Sequence, residues 1–233
     1  MAKKKKTELT PAFEKTFRPR TENQRLLVEA IRNNTIVVAI GPAGCGKTAL
    51  CSQTAVELLF NPESPIERIV VVRLIADTHN EHLGALPGDR TDKLIHFGAP
   101  VLDNLRQLLP EWKIATMLQD HTLEIAPISH MLGRTFVNTA VLVEEAQCLD
   151  DSMVLLLLTR IGQGSILLIN GDPYQKVISG RNGIETAARL VEGLPGCAVV
   201  RLNESDIQRH PLVRAVLARA AQLDISISKK LII

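Results

Sequence analysis

The chain has 233 residues, 45% of them apolar and 22% charged, with a formal net charge of +2. That length suits one α/β domain with a full core rather than two independent ones. No stretch approaches the roughly 20 apolar residues that span a bilayer, and one Trp, one Tyr and five Phe leave little from which to build a base-stacking platform. Cys45, Cys51, Cys148 and Cys197 show neither C-x-x-C pairing nor metal-ligand spacing, so reduced thiols in the cytoplasm are expected.

Residues 1–20 carry seven Lys and Arg against Glu8 and Glu14, a local balance of +5 that leaves −3 for the remainder. Such an arm reads as a solvated, disordered segment that can also contact a nucleic-acid backbone. Its lysines are not followed by an apolar run, so it is not read as a secretory leader. From Thr21 to about Asn33, Leu26, Leu27, Ala30 and Ile31 recur at helical spacing. Thr21 with Gln24 three residues on fits a capping box.

An apolar strand at 35–40 then runs into Gly41-Pro42-Ala43-Gly44-Cys45-Gly46-Lys47-Thr48, and Ala49 continues a helical pattern to residue 59. This is the G-x-x-x-x-G-K-T loop that cradles phosphates. Its glycines allow positive φ, so that successive N–H groups converge on phosphate oxygens, and the helix N-terminus behind them favours anions. Lys47 supplies charge at the β- and γ-phosphates, and the Thr48 hydroxyl is a ligand for Mg²⁺. Cys45 is read as a small filler in a variable loop position.

Further short apolar runs at 69–73, 139–143, 165–169 and 198–202 read as strands buried on both faces. Helical patterns at about 98–119, 151–161, 183–192 and 211–222 separate them. This alternation predicts an α/β fold, mostly a parallel sheet with helices on both faces. The interval 74–138 breaks the rhythm and is expected to be an insertion of helices and loops within one domain spanning 21–223. Residues 224–233 form either an edge strand or a tail.

The strand Ala140–Val143 ends in Glu144 and Glu145. In the triphosphatase template the first acid holds Mg²⁺ and a second can polarise the attacking water. Glu144 stands where Asp is usual, and its extra methylene alters the metal geometry. A further buried strand ends in Asn170-Gly171-Asp172-Pro173-Tyr174-Gln175, whose polar groups can reach the γ-phosphate. Arg209, in Asp206-Ile-Gln-Arg209-His210-Pro211, is either a surface residue or one that stabilises charge on the transferring phosphoryl group.

Together these segments resemble the PhoH family of P-loop ATPases, relatives of superfamily 1 helicases. The resemblance runs from Thr21 to Ala221. It takes in the Thr-x-x-Gln24 opening, Gly41–Thr48, Val71-Val-Arg73, Leu83-Gly-Ala-Leu-Pro87-Gly88-Asp89, Ile128 to Thr135 ending in Gly133-Arg134-Thr135, Glu145-Ala-Gln147, Gly171-Asp-Pro-x-Gln175 and Asp206-x-x-Arg209-His210-Pro211-Leu. It departs from the family pattern at Glu144, at Cys148 and at Ala85, where an aromatic is usual.

The resemblance implies a RecA-like core in which the strand before Gly171 lies between the other two site strands. It implies that Gln24 reads the adenine edge, with the capping box as the competing role. Glu145 would position water, Gln175 would sense the γ-phosphate and Arg209 would act as an arginine finger for a neighbouring subunit. Arg73, Arg134 and the 83–89 loop become candidates for RNA or pore contacts. The expected function is Mg²⁺-dependent ATP hydrolysis coupled to single-stranded RNA, with helicase or translocase action. Because the chain has one phosphate loop, the second moving part would come from another copy in a homo-oligomeric ring, a hexamer being the expected form. Two rivals stand beside it: a nucleotide-gated scaffold with slow turnover, and a small-molecule kinase, which the Glu144–Glu145 pair argues against.

Overall fold

Continuous apolar runs with turns between them leave the strands no solvent face, and they pack as a sheet covered on both sides. The structure is a computed structural model describing residues 17–73, 99–173, 175, 182–208, 212 and 219. Strands β1 (Ile36–Ile40), β2 (Arg68–Arg73), β3 (Leu123–Pro127), β4 (Thr139–Glu144), β5 (Ile166–Gly171) and β6 (Cys197–Arg201) pair in the order β3-β2-β4-β5-β1-β6. Every pairing is parallel.

Successive side chains on each strand enter opposite cores, as the two-residue period requires. Val37, Ala39, Val71 and Leu142 face one apolar cluster. That cluster is closed by α1 (Glu22–Asn33), α2 (Lys47–Phe60), α3 (Ala99–Leu108) and α4 (Glu111–Gln119). Val38, Val70, Val72, Val141 and Val143 face the other, closed by α5 (Asp151–Leu158) and α6 (Gly183–Val191). The fold is the expected α/β, RecA-like P-loop arrangement, with β5 between β1 and β4.

Three details differ from the sequence reading. The interval 74–138 contributes β3 to the sheet itself, where only helices and loops were expected. Leu123-Glu-Ile-Ala-Pro127 is an edge strand with one flank exposed, so it lacks the continuous apolar run of its neighbours. The helical pattern over 98–119 is two helices, broken before Pro110, which caps α4 and has no N–H to continue α3. The packed chain also begins earlier than residue 21, since Phe17 lies against the first cluster. The Leu83–Asp89 loop, the helix expected at 211–222 apart from two positions, the 224–233 segment and residues 1–16 of the basic arm lie outside the described residues.

Candidate nucleotide site

β1, β4 and β5 point their C-terminal ends at a common crevice, the place where parallel α/β sheets bind ligands. After Ile40 the chain passes close under the end of β6. A Cβ on Gly41 would stand 2.9 Å from both Cβ and the carbonyl oxygen of Leu202, so only glycine fits. Gly46 takes φ +91°, the left-handed backbone that lets the loop turn directly into α2.

Lys47 is folded across this loop. Its Nζ donates to the carbonyl oxygens of Gly41 at 2.7 Å and Pro42 at 3.0 Å, and lies 3.5 Å from Cys45 Sγ. Cys45 is fully buried; that burial pushes its thiol up, against the pull of the Lys47 charge. Gly44, Gly46, Lys47, Thr48 and Ala49 line a cleft of about 740 Å³ that Glu145 and Gln175 also line.

Glu144 closes β4 at 4% exposure, one oxygen accepting from Thr48 Oγ1 at 2.8 Å and the other from Asn170 Nδ2 at 2.7 Å. Burial pushes its carboxyl up, while the two hydrogen bonds pull it down. Hydroxyl and carboxylate oxygens at the end of a phosphate loop are hard donors that suit Mg²⁺, which takes its remaining ligands from water and phosphate. Thr48 and Glu144 therefore fit the metal expected there. Among the described residues no cluster of three or more His, Cys, Asp or Glu forms a separate all-protein cage.

Glu145 adopts φ 55°, ψ 42°, a left-handed conformation that costs a non-glycine residue about 1–2 kcal/mol. The turn sends its side chain toward the cleft, where Gln147 Nε2 donates to it. Gln147 Oε1 in turn accepts from the Asp172 N–H at 3.0 Å, tying the end of β4 to the end of β5. Asp172 Oδ2 accepts from the Ala43 N–H and from Gln175 Nε2, both at 2.9 Å. One carboxylate thus fastens Gln175 to the phosphate loop.

Gln24, buried on α1, donates from Nε2 to the carbonyl oxygens of Cys45 at 3.0 Å and Asp206 at 3.2 Å, and accepts at Oε1 from the Arg20 N–H at 2.8 Å. The capping box is half made: Thr21 accepts from the Gln24 N–H, but the Gln24 side chain turns to the loop instead of back to Thr21. Asp206 is fully buried and accepts from Thr21, from Asn23 Nδ2 at 2.9 Å and from the Asn203 N–H at 2.8 Å. Burial would raise its carboxyl, yet these donors hold it below the usual range. Two residues on, the Gln208 N–H donates to Gly44 O at 3.1 Å, so this segment also rests on the phosphate loop.

Lys47, Thr48, Glu144, Glu145, Gln175 and Gln24 are thus gathered around one crevice, with Pro42 and Ala43 forming its loop. Arg209 lies outside the described residues. Arg73 ends β2 in register with Glu144. Arg134, a candidate for RNA contact, forms a two-pronged pair with Glu124, Nη1 to Oε1 at 2.6 Å and Nη2 to Oε2 at 2.8 Å, and stacks on Phe136. Sequence reasoning missed the fastening roles of Gln147, Asp172 and Asp206. Asp206 opens the Arg209 motif in the sequence, but the signal for its anchoring role is its place three residues after Asn203, the spacing of a capping box.

A family profile described as PhoH, PhoH-like protein, matches residues 16–220. A PhoH-like protein of Synechocystis is 35% identical over 219 residues, 93% of this chain and 64% of that protein. One of Bacillus subtilis is 34% identical over 205 residues, 87% of this chain and 63% of its own length. The chain therefore spans a little under two thirds of these curated relatives. A solved Bacteroides Pif1 bound to single-stranded DNA overlaps 88% of this chain and 47% of its own, at 14% identity and a TM-score of 0.37. That overlap is too loose to bear on function.

Proposed function

The chain belongs to the PhoH-like protein family, and from that premise we propose that it is a Mg²⁺-dependent ATPase whose turnover is coupled to single-stranded RNA or another single-stranded nucleic acid. Lys47, Thr48, Glu145 and Gln175, from three separated segments, line one cleft at the C-terminal ends of parallel strands. That convergence carries the reading.

The loop N–H groups and Lys47 hold the triphosphate, and Thr48 with Glu144 holds the metal. Mg²⁺ held there would offset the negative charge of the triphosphate. Glu145, fixed by Gln147, orients the attacking water and accepts its proton. Gln175, fixed by Asp172, hydrogen-bonds the γ-phosphate. Arg209 enters the site of a neighbouring copy, which makes the working unit a homo-oligomeric ring in the cytoplasm and the site complete only at a subunit interface. Among the described residues no helix is long and apolar enough to cross a membrane.

One observation favours a second reading, a nucleotide-gated scaffold that turns over slowly. Glu144, one methylene longer than the usual aspartate, is 4% exposed and both its oxygens already accept hydrogen bonds, from Thr48 and Asn170, which slows any turnover that needs it to hold a cation. Steady-state ATP hydrolysis with Mg²⁺, measured with and without single-stranded RNA and beside Glu145→Gln and Arg209→Ala proteins, distinguishes the two. Hydrolysis that RNA stimulates and both variants lose supports the coupled ATPase. ATP binding without turnover above the variants supports the scaffold.

A further inference from the structure

A glutamine that reads adenine does so with both ends of its amide, donating from Nε2 to N7 and accepting at Oε1 from the N6 amino group. In this structure the Gln24 amide is spoken for. Both Nε2 protons go to backbone carbonyls, of Cys45 in the phosphate loop and of Asp206 in the turn after β6. Oε1 accepts from the Arg20 N–H. The orientation of the amide follows from its partners: flipping it would set oxygen against two carbonyl oxygens and nitrogen against an N–H donor. The side chain is 3% exposed and packs on the loop, 3.4 Å from where a Cβ on Gly46 would stand.

At most one lone pair of Oε1 remains. It can accept from the amino group of adenine, cytosine or guanine alike, so it carries almost no base information. Phe17, Arg18 and Arg20 line the cleft with Gln24, as do the amides of Asn104, whose Nδ2 donates to Pro100 O at 2.8 Å, and of Gln208, whose Oε1 accepts from Arg20 Nη1 at 3.3 Å. An aromatic ring and guanidinium planes stack on any base, since every base has a π-face.

We propose that Gln24 is a positioning residue that clasps the phosphate loop to the Asp206 turn, and that the site takes nucleoside triphosphates by their triphosphate with little discrimination between bases. This rests on the reading of the cleft as a triphosphate site. The clasp acts on the loop from behind: Gln24 holds Cys45 O while Gln208 N–H holds Gly44 O. Two consecutive loop carbonyls are therefore anchored to the segments that flank the site, which keeps the intervening N–H groups directed at phosphate. Removing the clasp weakens every nucleotide by the same factor.

Titration calorimetry with ATP, GTP, CTP, UTP and inorganic triphosphate, each with Mg²⁺, on the wild-type chain and on Gln24→Met tests this without relying on turnover. Methionine keeps the length and bulk of glutamine and removes both donors. The expected result is that the four wild-type dissociation constants fall within tenfold of one another. Gln24→Met then weakens all four by about tenfold, the loss of two ordinary hydrogen bonds, and leaves their ratios unchanged. A wild-type preference for ATP beyond tenfold overturns the inference, as does a loss in Gln24→Met confined to ATP. If neither the nucleotides nor inorganic triphosphate bind, the triphosphate reading of the cleft falls and the inference falls with it. Binding confined to ATP removes the inference alone.

Discussion

Thr48 Oγ1 donates to Glu144 Oε2 at 2.8 Å, so the first turn of α2 and the end of β4 meet through a hydroxyl and a carboxylate. An aspartate would set its carboxylate about 1.5 Å further back, one carbon–carbon bond. The longer acid closes that gap and places a charge where water cannot reach it.

Glu144→Gln is expected to stabilise the fold at neutral pH while lowering Mg²⁺-dependent hydrolysis by about 10²-fold or more. Burial raises the folded pKa of Glu144 above its unfolded value near 4.5. The unfolded chain therefore gives up this proton more readily, and stability falls as pH rises from about that value through the folded one. The amide has no charge to desolvate and keeps an acceptor for Asn170. Thermal melting from pH 4.5 to 8 should show the variant's advantage growing with pH; an advantage that shrinks over this range would refute the assignment.

Gln147→Leu should lower kcat by about 10²-fold with little change in KM, because Glu145 loses the group that aims it. The same change leaves the Asp172 N–H without its Gln147 partner, at a cost of about 1–3 kcal/mol. Steady-state kinetics beside urea unfolding separates the two effects. A KM that rises as much as kcat falls would place Gln147 in ground-state binding instead.

Asp206→Ala should cost about 3 kcal/mol, since Thr21, Asn23 and the Asn203 N–H lose a shared charged acceptor. The folded pKa of Asp206 is depressed, so its contribution is complete above the unfolded value near 3.8 and is lost as pH falls through the folded one. Urea midpoints of the variant and the wild type should converge only in that acid range. Convergence already at pH 6 would mean the network does not depend on the ionised carboxylate.

Arg134 and Glu124 join the edge strand β3 to the Gly133 turn through a partly buried, two-pronged pair. A double-mutant cycle with Arg134→Gln and Glu124→Gln should give a coupling of about 1–2 kcal/mol. Filter binding of single-stranded RNA should be the same for Arg134→Gln and the wild type. A tenfold weaker RNA affinity in that variant would return Arg134 to the nucleic-acid interface.

The phosphate loop and five of the six strands were legible in the sequence because each announces itself locally. Gly41, Gly44 and Gly46 are spaced for one loop, and runs such as Ile69–Val72 have no polar face to show. β3 was hidden because an edge strand needs only half an apolar pattern, and Leu123 and Ala126 do not make a run. The clasps were hidden for another reason. Gln147, Asp172 and Asp206 each act on a partner in a different segment, and which carbonyl or N–H lies opposite is decided only when β1, β4, β5 and β6 are side by side. Gln24 shows the same limit: Thr21–Gln24 spacing fits a cap, yet the side chain is drawn away by carbonyls 21 and 182 residues distant.

Cys45 sits inside the loop that wraps the phosphate site, shut from solvent and with its thiol pushed up by burial. A thiol in that state resists alkylation until the loop opens around it. The chain thus carries its own reporter: the rate at which iodoacetamide labels this one position, read by peptide mass, counts openings of the loop. Bound triphosphate should slow that clock, with no dye attached and no residue changed.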